Sequence, residues 1–268
     1  MTTHAGPDAE SVPGAPLARP TPYPVVLHLV GAPCLVVGAG PVAARKAHGL
    51  LDAGASVTVV APAIGPDMQS LVDAGPCRFG ALGIQVRPYA PPEASDYRLV
   101  VAATGDRGVD GRVAADAVAG GSLVNLAGSP DGAGLRDGPV AGTVLLPAVH
   151  RAGPVTVAVS TDGTGPALAR WLRDRVAAGM DDGAVATLAE LVGAARTELL
   201  AGGGGPVDWP SVLDRVAPLV AAGRVDEARE LLASHLAGHL GTHLDSHLGT
   251  TGRRPPQPGT ASSLGLPP

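Results

Sequence analysis

The chain has little aromatic content: one Phe, three Tyr and two Trp in 268 residues. A core built on stacked rings is therefore excluded. Cysteine is almost absent, with only Cys34 and Cys77, and these make neither a CxxC nor a zinc-ligand spacing. That excludes a disulfide framework and fits a reducing, cytoplasmic setting. No basic block occurs and the formal net charge is −5, so nothing supplies the phosphate-neutralising patch that nucleic acid requires. No apolar run approaches the roughly 20 residues of a membrane span, and the first residues (MTTHAGPDAE) carry acidic groups without the apolar stretch of a secretory signal. The expectation is a protein with no nucleic-acid and no membrane partner. What is abundant is small: the 45% hydrophobic content is mostly Ala, Val and Leu, with 38 Gly and 27 Pro at turns and ends. Such residues suit helices packed closely on a sheet, and the length allows one large domain and a smaller one.

Residues 1–20 are Pro, Gly, Ala and Thr without periodicity and read as a flexible tail. Short apolar runs then mark strands at Val25 to Leu27, Leu35 to Val37, Val57 to Val60, Ile84 to Val86, Leu99 to Ala103 and Leu123 to Asn125. Helical spacing fills Val42 to Ala53 and Val109 to Ala119. This alternation specifies an α/β fold, a Rossmann-type parallel sheet over residues 21–143. A polar glycine-rich loop, Gly128 to Gly142, follows. Val144 to Leu146 and Val155 to Val159 read as two strands of a small domain over 144–179, with a helix from about Gly165 to Ala178. Helices over 184–201 and 210–236 make a C-terminal helical region, 180–237, and residues 238–268 read as a flexible His/Pro/Gly-rich tail.

Gly38-Ala39-Gly40-Pro41-Val42-Ala43 is a GxGxxA turn between an apolar strand and a helix. In that context the first glycine permits the sharp turn and the second lets backbone approach a pyrophosphate. Ala43 keeps the helix near the sheet, and the helix N-terminus offers unpaired N–H groups to the phosphates. Dinucleotide binding is the expectation for Gly38, Gly40, Pro41, Val42 and Ala43. The second strand ends in Ala61-Pro62-Ala63, with no Asp or Glu to take the adenine ribose and no Arg or Lys to favour a 2′-phosphate. Backbone at Pro62 and Ala63 is left to line the adenosine, and NAD versus NADP stays open.

The run Tyr23 to Pro62, containing VVGAGPVAARKAHGLLDAGASVTVVAP, resembles the start of the siroheme synthase N-terminal domain family. Val101-Ala102-Ala103-Thr104 with Asp106 and Val109 is similar to that family's AATxDxxV segment. Leu146-Pro147-Ala148-Val149 leading to Gly153-Pro154-Val155-Thr156-Val157-Ala158-Val159-Ser160-Thr161-Asp162-Gly163-Thr164-Gly165-Pro166 matches its most specific signature. The resemblance covers about residues 23–178. It implies NAD-dependent oxidation of precorrin-2 to sirohydrochlorin, then insertion of Fe²⁺, as the substrate of chelation, to give siroheme. It also implies a homodimer intertwined through the two strands after the Rossmann half, a tetrapyrrole in the cleft between, and Ala103 and Thr104 beside the nicotinamide.

The chain departs from this family at Gly128, where an Asp usually serves as the acid–base group three residues after the strand-ending Asn, here Asn125. Proton removal needs a base; Asp131 and Asp137 on the loop and His150 are the candidates, with loop solvation the plain alternative for the two aspartates. Asn125, Ser160, Thr161, Gly163 and Thr164 are candidate substrate contacts. The hydroxyl-rich turn 160–164 suits tetrapyrrole carboxylates, and equally suits N-capping of the next helix by Thr164. His235, His239, His243 and His247 recur every four residues, each followed by Leu, a spacing usable for a divalent metal. Gly238, Gly241 and Gly249 argue instead for a frayed extension, so the sequence assigns no metal ligands. Two rival readings remain: a member that has lost chelation, and a non-catalytic NAD-sensing module, which would carry an acid after the second strand and lack the VAVSTxGT segment.

Overall fold

A computed structural model describes residues 21–75, 79–127 and 143–248, with 238–248 described by backbone alone. The chain divides into two compact units: residues up to 146 together with 160–165, and residues 147–159 together with those from 166 onward.

In the first unit, strands β1 (Pro33–Val37), β2 (Ser56–Ala61), β3 (Ala81–Val86), β4 (Leu99–Ala102) and β5 (Leu123–Leu126) form one parallel sheet in the order β3-β2-β1-β4-β5. β1 and β4 are apolar throughout their interiors because both faces are covered, as parallel sheets require. Helix α1 (Pro41–Asp52) buries Ala43, Ala44, Ala47, Leu50 and Leu51, a stripe of small and medium residues that brings it close to the sheet. Helix α3 (Arg107–Ala119) packs Val113, Ala114 and Ala117 against the other face with Leu35, Val37 and Val100. Its N-cap, Asp106, accepts from the N–H groups of Gly108 and Val109 at 2.8 and 3.1 Å, and these bonds lower its carboxyl pKa. Cys34 is fully buried in β1, and burial pushes its thiol pKa up to about 11, so it stays protonated at neutral pH.

Two expected strands are absent. Val25 to Leu27 is irregular, with Val25 and Val26 64% and 82% exposed. Both edges of β1 are already taken by β2 and β4, and the segment instead anchors through Leu29, with Leu27 beside it, in the cluster shared by the sheet and α1. Val144 to Leu146 is likewise irregular, because the N–H groups of Thr143 and Val144 both donate to the single carbonyl of Val124 and no ladder propagates. Helix α2 (Pro66–Asp73) and a 3₁₀ turn at Glu93–Asp96 are additional to the sequence expectation. Residues 1–20 and the loop 128–142 lie outside the described residues.

The second unit begins with an antiparallel hairpin, β6 (Ala148–Ala152) and β7 (Val155–Val159). Its two-residue turn starts at Gly153 with φ +56°, the positive value such tight turns demand. Helices α4 (Pro166–Ala177), α5 (Asp182–Ala201), α6 (Trp209–Ala221) and α7 (Val225–Leu248) follow. The last three make their own core from matching four-residue stripes: Leu191, Ala195 and Leu199 on α5; Val212, Val216 and Val220 on α6; Ala228, Leu232 and Leu236 on α7. The stretch 210–236, expected as one helix, is two, because Gly223 takes φ +74° and turns the chain back. α7 runs on to Leu248, past residue 237, where the sequence ends the helical region.

Tyr89 links two elements of the first unit. Its hydroxyl donates to Asp116 on α3 at 2.6 Å and accepts from the N–H of Ala94 at 3.2 Å, and burial, then the Asp116 bond, raises its pKa. A hydrogen bond to a charged group is worth about 1.5–3 kcal/mol. Tyr89→Phe is therefore expected to lower unfolding free energy by about 1–3 kcal/mol in urea titration, and an unchanged midpoint would show that the bond contributes nothing.

Candidate dinucleotide site

The strand order reverses between β1 and β4, each continuing the sheet in the opposite direction. In an open α/β sheet the crevice at the carboxyl ends of two such strands is where ligands bind. The turn after β1 and the turn after β4 flank that crevice, and the register Val37↔Ala102 brings the two strand ends level.

Gly38 has φ +113°, and a Cβ there would lie 2.3 Å from the carbonyl oxygen of Ala103. Only glycine fits, for conformational and steric reasons together. Gly40 is the opposite case: it has φ −79° as N-cap of α1, no side-chain cap bond, and nothing within 4 Å of a built Cβ. The space beside it is open, and a pyrophosphate is the group a glycine leaves room for at the start of such a helix. Pro41 at the first helical position has no N–H to leave unpaired, Val42 is half-buried, and Ala43 is fully buried against the sheet. These residues fit a dinucleotide. Pro62 and Ala63 are exposed just beyond the end of β2, on the same carboxyl edge.

Ala103 and Thr104 lie directly after β4, and Thr104 is held firmly. Its N–H and hydroxyl both donate to Asp110 Oδ1, at 3.1 and 2.7 Å, and its hydroxyl accepts from the N–H of Asp106 at 3.0 Å. Asp110 thus orients the β4 turn. Gly65 is a second shaping residue: its N–H donates to Ala39 O at 3.2 Å and a Cβ would stand 2.8 Å from that oxygen, so the β2–α2 loop seats on the glycine turn. The Gly-Pro pair opening α2 is the sequence signal for it.

Other expected residues fall elsewhere. Asn125 is buried, and its amide nitrogen donates to Val144 O at 2.9 Å, tying the strand end to the chain after the loop. Asp131, Asp137 and Gly128 lie outside the described residues. His150, on β6, pairs through Nε2 with Asp182 Oδ1 at 2.8 Å, at the start of α5. In the 160–165 turn, Asp162 and Gly163 both have positive φ, 53° and 73°. Ser160 Oγ accepts from the Asp162 N–H, and Thr161 Oγ1 accepts from the Gly165 N–H. Thr164 does not cap α4 as expected; its hydroxyl donates back to Thr161 O, because α4 starts one residue later, at Pro166.

The fold and this turn define a dinucleotide-binding Rossmann protein. Family models agree with that class: one described as putative NAD(P)-binding matches residues 25–134, and one described as sirohaem biosynthesis protein central matches residues 152–178. By these matches the chain resembles the N-terminal part of siroheme synthases. It is 36% identical over 224 residues to a siroheme synthase of Ectopseudomonas mendocina, covering 80% of this chain and 44% of that one. A siroheme synthase of Methylococcus capsulatus is 40% identical over 153 residues, covering 57% of this chain and 29% of the relative. The chain thus spans less than half the length of these curated relatives. Among solved structures it resembles SirC, precorrin-2 dehydrogenase, with a TM-score of 0.54 at 24% identity, over 79% of this chain and 98% of the other. At that identity the likeness speaks for the fold.

The two glycines should separate on mutation. Gly40→Asp is expected to fold like the parent, since its Cβ meets nothing, and to lose NAD binding, because a carboxylate fills the phosphate space. Gly38→Ala is expected to destabilise the unit by about 2–4 kcal/mol through strain and collision with Ala103. Thermal unfolding and NAD titration together check both, and a Gly40→Asp protein binding NAD as the parent does would remove the assignment.

Proposed function

We propose that this chain is an NAD-dependent precorrin-2 dehydrogenase of siroheme biosynthesis that also inserts Fe²⁺ into sirohydrochlorin. The observation that carries the reading is the open cradle at Gly40 on the β1/β4 switch point, in a chain that resembles this family. NAD, when bound, supplies the hydride acceptor. The Gly38 to Ala43 turn and the N-terminus of α1 hold its phosphates, Pro62 and Ala63 line the adenosine, and the Ala103–Thr104 turn, fixed by Asp110, backs the nicotinamide end. Oxidation of the tetrapyrrole sends a hydride to the cofactor and a proton to a base; metal insertion releases two pyrrole N–H protons. Asp131 and Asp137 are the carboxylates assigned to that proton transfer, with Asp131 first because it is nearer the end of β5. His150 is the third candidate, and its pairing with Asp182 supports a fixed ring orientation. Ser160, Thr161, Gly163 and Thr164 are assigned to the substrate's carboxylates. Two left-handed residues hold that turn open, and the Ser160 and Thr164 hydroxyls are at its exposed edge.

We assign the active state as a homodimer formed through residues 144–178. Supporting this, α4 carries Leu168, Trp171, Leu172 and Val176 on adjacent turns, all 37–56% exposed, and Arg175 lies 5.5 Å from the Trp171 ring centre. An apolar helix stripe beside a two-stranded sheet with open edges is a surface that a second copy covers. Light scattering is expected to give a dimer for the parent and a monomer for Leu168→Glu/Leu172→Glu.

Anaerobic assays test the chemistry. Purified protein is expected to reduce NAD with precorrin-2 and to metallate sirohydrochlorin with Fe²⁺. A protein inactive in the first assay while binding NAD would point instead to a sensing module. Losing a general base typically costs 10²–10⁴-fold in rate, so Asp131→Asn/Asp137→Asn is expected to fall by about that factor with NAD affinity kept. If both reactions run at parent rates, neither carboxylate is the base, and His150→Gln becomes the decisive variant.

A further inference from the structure

Helix α3 turns one charged residue toward the sheet. Its buried stripe is Val113, Ala114 and Ala117, and Asp110, three and four residues before the first two of these, continues that stripe into the opening turn. Asp110 is half-buried. At that level β4 has ended, and the carboxylate meets the turn that follows it: Oδ1 accepts from both the N–H and the hydroxyl of Thr104, at 3.1 and 2.7 Å. One oxygen thus holds the turn, and the oxygen of a neutral amide would accept the same two bonds. Among the described residues Oδ2 has no hydrogen-bond partner and no cation pairs with the group. The neighbouring acid, Asp106, is differently engaged. It is exposed, caps α3 through Gly108 and Val109, and has Arg112 as a nearby cation. The negative charge of Asp110 is therefore not accounted for by the bonds that Asp110 makes.

We propose that Asp110 is the residue that makes this site prefer the oxidised dinucleotide over the reduced one. The inference rests on the dinucleotide reading above. A dinucleotide lying across a switch point sets its phosphates on the turn after the first strand and its two halves over the strands on either side. With the adenosine half over the end of β2, the nicotinamide half falls to β4 and the Thr104 turn. The nicotinamide ring carries one positive charge when oxidised and none when reduced. A fixed carboxylate behind Thr104 attracts the first form and is indifferent to the second, and a half-buried charge is screened less than one in bulk water. In a reaction that consumes the oxidised cofactor, the same charge favours loading before hydride transfer and release after it. Asp110 acts here through its charge, and its two bonds to Thr104 fix where that charge stands.

The test is titration of the full chain with NADH, followed by its fluorescence, and displacement of the NADH by NAD⁺. Asp110→Asn keeps an oxygen for the Thr104 donors and removes the charge. It is expected to weaken NAD⁺ binding by roughly three- to tenfold, to leave NADH at or above its parent affinity, and to keep the thermal midpoint. Asp110→Ala removes the oxygen as well. That variant is expected to weaken both nucleotides through a loosened turn and still to show the same fall in the ratio of the two affinities. A carboxylate that only braced the turn would move both affinities together. An unchanged ratio in Asp110→Asn, or in Asp110→Ala should the first variant not fold, therefore overturns the proposal and leaves the dinucleotide site standing. A parent that binds neither nucleotide overturns the dinucleotide reading and this proposal with it. Neither titration needs the tetrapyrrole, so the outcome is independent of the dehydrogenase and chelatase assays.

Discussion

The carbonyl of Ala103 standing where a side chain on Gly38 would be is the constraint from which the crevice follows. β1 and β4 are neighbours in register, and their continuations must part immediately beyond the sheet for a ligand to enter between them. A turn with positive φ lets the β1 continuation bend away within one residue, and the absence of Cβ lets it do so in contact with the β4 backbone. The same close approach is repeated one layer out, where Gly65 seats the next loop on Ala39. Both contacts are backbone to backbone, which fixes the cradle more rigidly than side-chain packing would.

The second unit is organised by a different constraint, the need of a short hairpin for a cover. A two-stranded sheet is marginal alone. Here α5 closes on it so tightly that a Cβ on Gly153 would lie 2.7 Å from the Ala186 Cβ, and the His150–Asp182 pair ties β6 to the first turn of the same helix. Asp182 sits at the positive end of α5 beside its N-cap, Asp181, so the carboxylate that meets the imidazole is also favoured by the helix dipole. α4 leaves its apolar stripe outward, and the α5–α7 core is complete without it.

Where a residue's placement is local, the sequence is readable. The strand-turn-helix context of Gly38 to Ala43 identified both glycines and the buried Ala43, and the β4 apolar run placed Ala103 and Thr104 at its end. Local pattern failed where pairing depends on neighbours already present. Val25 and Val26 have strand propensity but no vacant edge beside β1, and Val144 to Leu146 is as apolar as the strands yet meets Val124 at a single carbonyl. The strand-end position of Asn125 makes it a candidate substrate contact, whereas its bond to Val144 is a tertiary fact with no sequence signature. Asp110 belongs to no motif legible in the sequence, and its grip on Thr104 emerges once α3 is set against β4.

The end of β2 completes the physical picture of the cradle. Ala61 is buried, and Pro62 and Ala63 are exposed, so the position where a carboxylate would take the ribose hydroxyls offers only backbone and methylene groups. In the proposed binding mode a dinucleotide is held chiefly through its phosphates, by N–H groups at the start of α1 and the room left at Gly40. The turn into α2, Ala61 to Gly65, also carries no cation to reward a 2′-phosphate. In the proposed binding mode affinity comes from the glycine turn, and the neighbouring loop is shaped by Gly65, which presses against Ala39.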